Sequence, residues 1–70
     1  MKTIYDVQQF LKQYGTIIYI GDRASDLELM EDEIHELYKS QLIETKDYQM
    51  AVLLLRQEAR KAREKNEQYD

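Results

Sequence analysis

The sequence predicts an all-α protein: a compact three-helix bundle with an extended apolar connector between helices 1 and 2. Three segments place apolar residues at the three- and four-residue spacing of an amphipathic helix. The 70-residue chain has no proline and only two glycines, which favours long helices with few turns. The glycines bracket a single β-branched and aromatic run, and no second run of this kind exists to pair with it.

The first predicted helix spans about 3–14. Thr3 is a favourable N-cap, and Asp6 suits the positive end of the helix dipole. Gly15 ends the helix, where a left-handed C-cap residue is wanted. The apolar face consists of Ile4, Val7, Phe10, Leu11 and Tyr14.

The connector, residues 16–20, reads TIIYI and has the composition of a strand. A lone strand cannot satisfy its backbone hydrogen bonds, and even two-stranded units are marginally stable. We therefore expect an extended segment that plugs the bundle with two or three of its apolar side chains. The alternative is that its edge pairs with the same segment of another copy, which would make it a dimer element.

The second predicted helix, about 23–40, carries most of the acidity. Asp22 is one candidate N-cap, and Ser25 is another, with Glu28 at the spacing of a capping box. Residues 22–44 hold eight carboxylates against Arg23 and Lys39, a net charge of −6. The apolar face consists of Leu27, Met30, Ile34, Leu37 and Tyr38.

The third predicted helix, about 45–64, begins with Thr45 as a candidate N-cap. Residues 50–55 are apolar almost all round, which indicates burial on more than one side. Short connections predict near-antiparallel sequential helices. We expect one domain over 1–64 and a charged, frayed tail over 65–70. The predicted core consists of Val7, Phe10, Leu11, Leu27, Met30, Ile34, Leu37, Val52 and Leu55.

The composition favours binding over chemistry. His35 is the only histidine and there is no cysteine, so a Cys–His pair is impossible and no metal-ligand motif is recognisable. We expect no enzyme activity, no cofactor and no metal. No apolar run approaches the roughly 18 residues of a membrane span, so we expect a cytoplasmic protein without membrane contact. The net charge of −4 argues against tight binding of duplex DNA.

The six tyrosines suggest a nucleic-acid site. Tyr14, Tyr38 and Tyr48 fit apolar helical faces and are expected in the core. Tyr5 and Tyr19 fall off these faces and, if exposed near cations, would resemble a stacking platform for single-stranded nucleic acid. The alternative is ordinary packing. The predicted binding residues are Tyr5, Lys12, Tyr19 and Arg23, together with Arg56, Arg60 and Arg63 on the third helix. The alternative for the three arginines is that they form a solvated helix face without a binding role.

The segments YDVQQFLKQYG, IYIGDR, DLELMEDEIHELY and LIETKDYQMAVLLLR resemble the YqgQ-like family of small proteins from low-GC Gram-positive bacteria. The resemblance covers about residues 4–56 and implies a compact three-helix fold in a bacterial, cytosolic protein. Single-stranded nucleic acid binding has been considered for such proteins.

Two functions remain open at this stage. The first is sequence-tolerant binding of single-stranded RNA or DNA around the connector. The second is a module that binds a protein partner or itself through the apolar third helix and the acidic second helix.

Overall fold

The computed structural model describes residues 1–67, with side chains described for residues 1–64. Three helices form it: α1 (Ile4–Gln13), α2 (Arg23–Lys39) and α3 (Thr45–Glu67). No strand occurs among residues 1–67, so the predicted all-α three-helix architecture is confirmed. Helix α3 includes residues 65–67, which were predicted to belong to the tail; residues 68–70 lie outside the described residues.

Helices α2 and α3 form an antiparallel hairpin with the largest helix–helix contact of the fold. Residues late in α2 contact residues early in α3, and residues early in α2 contact residues later in α3. Near the turn, the Tyr38 hydroxyl lies 3.1 Å from the Thr45 hydroxyl. At the far end, Arg23 Nη2 lies 3.3 Å from Glu58 Oε2. The prediction of antiparallel neighbours is therefore confirmed for this pair.

Helix α1 is not joined to α2 as an antiparallel hairpin. The Tyr14 hydroxyl donates to the Leu42 carbonyl at 3.4 Å, so the C-terminal ends of α1 and α2 lie at the same end of the bundle. The connector then runs back along α2, with Thr16 beside Glu33 and the next contact at Ile20, beside Asp26. The connector is extended because its five residues must span the two turns of α2 between Glu33 and Asp26.

The core follows the predicted helical faces, with small differences. Phe10 and Val52 are half-buried at its margin, whereas Ile4, Ile43 and Ala51 are buried in it and were not predicted. Ala51 is fully buried, so α3 contributes a small side chain to the core at this position. The buried core consists of Ile4, Val7, Leu11, Leu27, Met30, Ile34, Leu37, Ile43, Ala51 and Leu55.

The connector and Tyr14 are more exposed than predicted. Only Ile18 among the apolar connector side chains packs against the core, so the expectation of two or three plugging residues was wrong. Both ends of the connector are held through polar groups, which leaves the other side chains free to face solvent. Tyr14 is 40% exposed because it caps the short α1 at the end of the bundle, where its ring contacts Phe10.

The helix ends are stabilised largely as predicted. Thr3 and Asp6 form a reciprocal capping box, and Asp22 rather than Ser25 is the N-cap of α2. Thr45 is instead the first residue of α3, and its hydroxyl lies against Tyr38. Gly15 has φ +82°, the left-handed conformation expected after α1.

Candidate nucleic-acid interface

A groove of about 280 Å³ lies between α1 and the connector. The buried side chains of Leu11 and Met30 contribute its apolar lining. Polar side chains of α1 and exposed side chains of the connector supply the remainder, so the groove combines apolar surface with amide and ammonium groups. Its lining consists of Gln8, Gln9, Leu11, Lys12, Thr16, Ile17, Ile18, Tyr19 and Met30.

Two of the predicted site residues meet in this groove. Tyr19 is 86% exposed, and Lys12 is exposed on the neighbouring helix. Tyr5 is 65% exposed and lies seven residues, about two turns, before Lys12, which places both on the same side of α1. The structure therefore confirms that Tyr5 and Tyr19 are exposed and brings Lys12 to the groove that Tyr19 lines.

The connector wall of the groove is fixed at both ends. The Thr16 N–H donates to the Leu11 carbonyl at 3.1 Å, and the Thr16 hydroxyl reaches Glu33 at 3.4 Å. The Ile20 N–H donates to Asp26 Oδ1 at 2.7 Å. Asp26 is 8% exposed and is the only buried charged residue among those whose side chains are described. Sequence reasoning missed it, because an aspartate early in an acidic helix gives no sign of a long-range partner.

Arg23 is engaged elsewhere. Its guanidinium pairs with Glu58 of α3, which Lys61 also approaches at 3.4 Å. Partial burial raises the pKa of Glu58, but the hydrogen bonds from Arg23 and Lys61 outweigh it, so the pKa lies below its ordinary value. Arg23 thus closes the α2–α3 hairpin, and the structure does not place it among the residues that line the α1–connector groove.

The three arginines of α3 line a second groove, of about 540 Å³, between α2 and α3. Arg56 Nε lies 3.6 Å from Glu31 Oε1, and Glu28 also lines this groove. This groove and the α1–connector groove share no lining residue. Arg56, Arg60 and Arg63 therefore form a separate surface beside acidic side chains, and the seven predicted residues do not make one site.

Two tyrosines, Tyr38 and Tyr48, pack within the α2–α3 hairpin. Tyr38 and Tyr48 stack with ring centroids 4.1 Å apart, and the Tyr48 hydroxyl lies 2.9 Å from His35 Nδ1. The other ring nitrogen of His35 lies 3.5 Å from Glu31. The prediction that Tyr38 and Tyr48 belong to the packed interior with satisfied hydroxyls agrees with their half-buried positions.

The described part of the chain shows neither a metal cluster nor a membrane-spanning helix. Among the side chains of residues 1–64, no three or more His, Cys, Asp or Glu groups converge where they could hold a metal ion. None of the three helices, as far as they are described, has the length and apolarity needed to cross a bilayer.

Comparison with known proteins identifies the family. The family model described as YqgQ-like matches residues 1–61. A protein of Bacillus subtilis (strain 168), named uncharacterized protein YqgQ, is 48% identical over 58 residues, which cover 83% of this chain and 82% of that protein. The chain belongs to the YqgQ-like family.

Proposed function

We propose that this member of the YqgQ-like family is a non-enzymatic binding protein for single-stranded nucleic acid, and that the strand lies across the α1–connector groove. The observation that carries the proposal is the 86% exposed ring of Tyr19 in the groove that Lys12 also lines. An exposed aromatic face beside a cation is the combination with which proteins hold single strands.

Each part of the groove supplies one element of such binding. The Tyr19 ring offers a face on which a base stacks, and stacking tolerates any base because every base has a π-face. The Lys12 ammonium offers a partner for a backbone phosphate. Tyr5, farther along the same side of α1, supplies a second ring for a strand that continues past the groove.

The charge distribution limits where the strand runs and how tightly it binds. The acidic residues of α2 repel phosphates, and Glu58 and Glu31 already pair with Arg23 and Arg56. The α1 side therefore offers the more favourable path. With few phosphate contacts, affinity is weak and falls as salt rises, with a shallow slope in a plot of log affinity against log salt concentration.

The test is a fluorescence anisotropy titration with labelled single-stranded RNA and DNA at low salt. We expect Tyr19→Ala to weaken binding by about 5- to 160-fold, because one stacked base contributes about 1–3 kcal/mol. Lys12→Gln should weaken binding, and the number of phosphate contacts inferred from the salt dependence should fall by about one. No binding at low salt by the unaltered chain would refute the proposal.

Two matched variants control for surface charge and for lost apolar area. Lys46→Gln removes the same charge at an exposed position on α3, and Leu53→Ala removes an exposed apolar side chain there. Both residues lie outside the lining of the groove. An equal loss of affinity in the control and groove variants would show that binding depends on total charge or apolarity.

A second candidate function is binding of a protein partner through α3. The apolar run of α3 is not fully buried in the chain: Met50 is 39% and Leu53 is 52% exposed, although Ala51 and Leu55 are buried. Exposed neighbouring apolar side chains of this size are typical of interaction surfaces. A double variant, Met50→Gln with Leu53→Gln, should abolish capture of such a partner while leaving oligonucleotide binding unchanged.

A further inference from the structure

We propose that the connector is a dimerisation strand: residues 16–20 of two copies pair antiparallel, edge to edge, in a two-stranded ribbon. The inference goes beyond the proposed function, since it concerns the connector backbone and a second copy of this chain.

The connector is extended and has only one edge turned toward its own protein. Residues 16–20 take no helix, turn or bend, and all five have negative φ. In an extended chain, the backbone groups of alternate residues point to the same edge. The N–H groups of Thr16 and Ile20, four residues apart, both donate within the chain, so they define this inner edge.

The opposite edge is formed by Ile17 and Tyr19. Within the described residues, no hydrogen bond joins the N–H or C=O of either residue to another protein atom. Their side chains are 78% and 86% exposed, so no described residue covers them. Two N–H and two C=O groups on an open, β-branched edge form a template for pairing with another strand.

A second copy fits this edge because the segment is complementary to itself. With Ile18 opposite Ile18 on the two-fold axis, Ile17 of each copy lies opposite Tyr19 of the other. Each of these two pairs exchanges both backbone hydrogen bonds, which gives four in the ribbon. Each pair also places a β-branched side chain against an aromatic ring, a favourable cross-strand combination. The contact is isologous and closes at two copies.

Charge supports the same arrangement. Antiparallel pairing brings the α1 end of one connector to the α2 end of the other. Lys12 lies in the last turn of α1 and Asp22 at the start of α2, so the two ends that face each other carry opposite charges. A parallel arrangement would bring like ends together, and the acidic ends would repel. Opposite charges at reciprocal positions fix the orientation of the pair.

Sedimentation velocity over a concentration series, without nucleic acid, tests the inference. We expect a monomer–dimer equilibrium that Ile17→Pro weakens about ten-fold or more, because proline removes one N–H per copy and so two of the four hydrogen bonds. Ile17→Thr is the matched control: it also shortens the side chain but keeps the N–H and a β-branched shape, so it should change dimerisation less than Ile17→Pro does.

Amide hydrogen exchange of the unaltered chain gives a second readout. Protection of the Ile17 and Tyr19 amides should appear only as the protein concentration rises, whereas the Thr16 and Ile20 amides should be protected at every concentration. A chain that is monomeric throughout the series overturns the inference. A dimer that Ile17→Pro leaves unchanged, or one without new protection at Ile17 and Tyr19, overturns it as well. These outcomes are independent of oligonucleotide binding.

Discussion

Asp26 is expected to hold the connector in place, and its removal should have a measurable cost. Its carboxylate accepts the Ile20 N–H at 2.7 Å while the residue is 8% exposed. A hydrogen bond to a charged group contributes about 1.5–3 kcal/mol. The higher helix propensity of alanine offsets about 0.5 kcal/mol of this loss of stability. Asp26→Ala should therefore lower the free energy of unfolding by about 1–2.5 kcal/mol.

Urea denaturation followed by circular dichroism measures this loss, and two further variants sharpen it. Asp26→Asn keeps an acceptor without the charge and should cost about 1 kcal/mol less than Asp26→Ala. Asp32→Ala removes an exposed carboxylate from α2 and should change the free energy by less than about 0.5 kcal/mol. Two results would refute this role of Asp26. One is that Asp26→Ala and Asp32→Ala unfold at the same urea concentration, and the other is that the Ile20 amide is as protected from exchange in Asp26→Ala as in the unaltered chain.

Three other substitutions test the caps and the core. Ile34 is fully buried, so Ile34→Ala should lower the free energy of unfolding by about 2–5 kcal/mol in urea denaturation, against less than about 0.5 kcal/mol for exposed Ile17→Ala. Gln41 has φ +61°, a left-handed conformation that glycine adopts freely, so Gln41→Gly should raise the melting temperature through about 1 kcal/mol of relieved strain. Hydrogen bonds from the Lys2 and Thr3 N–H groups lower the pKa of Asp6 below 3.8; the stability contributed by its ionisation is complete above that pH and is lost as the pH falls through the lowered value. Asp6→Asn should therefore be less stable than the unaltered chain at neutral pH in thermal melts, and this difference should shrink in acid.

The helices were predictable because local sequence and tertiary packing agree. The apolar residues of α2 recur at helical spacing, and the residues found buried there, such as Leu27 and Ile34, are those of the predicted face. Thr3 and Asp6 predicted the start of α1, and in the structure they form its capping box. The turn between α2 and α3 was harder to place, because Gln41 takes the left-handed conformation for which the sequence offered no glycine.

The course of the connector could not be predicted, since it depends on contacts distant in sequence. Hydrophobicity alone predicted that TIIYI would enter the core. The structure shows that polar groups fix its ends, through Glu33 and Asp26, while Ile17 and Tyr19 face outward. The placement of Lys12 and Arg56 in two separate grooves likewise depends on how the helices pack. The net charge of each sequence segment could not predict that Lys12 and the arginines of α3 belong to two different surfaces.

The two proposals use different directions of the same strand and are therefore compatible. Side chains stand roughly perpendicular to a pleated strand, whereas its hydrogen-bonding groups lie in the plane of the edge. Edge pairing between two copies would leave the face of each Tyr19 ring that is turned away from Ile17 open for stacking, and would place two Tyr19–Lys12 platforms about a two-fold axis. An oligonucleotide long enough to reach both would bind the second platform as an intramolecular step, with a gain set by effective concentration. Ile17→Pro should then reduce affinity for long oligonucleotides while leaving affinity for short ones unchanged, whereas Tyr19→Ala should reduce both. A loss from Ile17→Pro that is the same at every length would contradict this arrangement, because it would mean that the substitution acts on a single platform and not on the pairing of two.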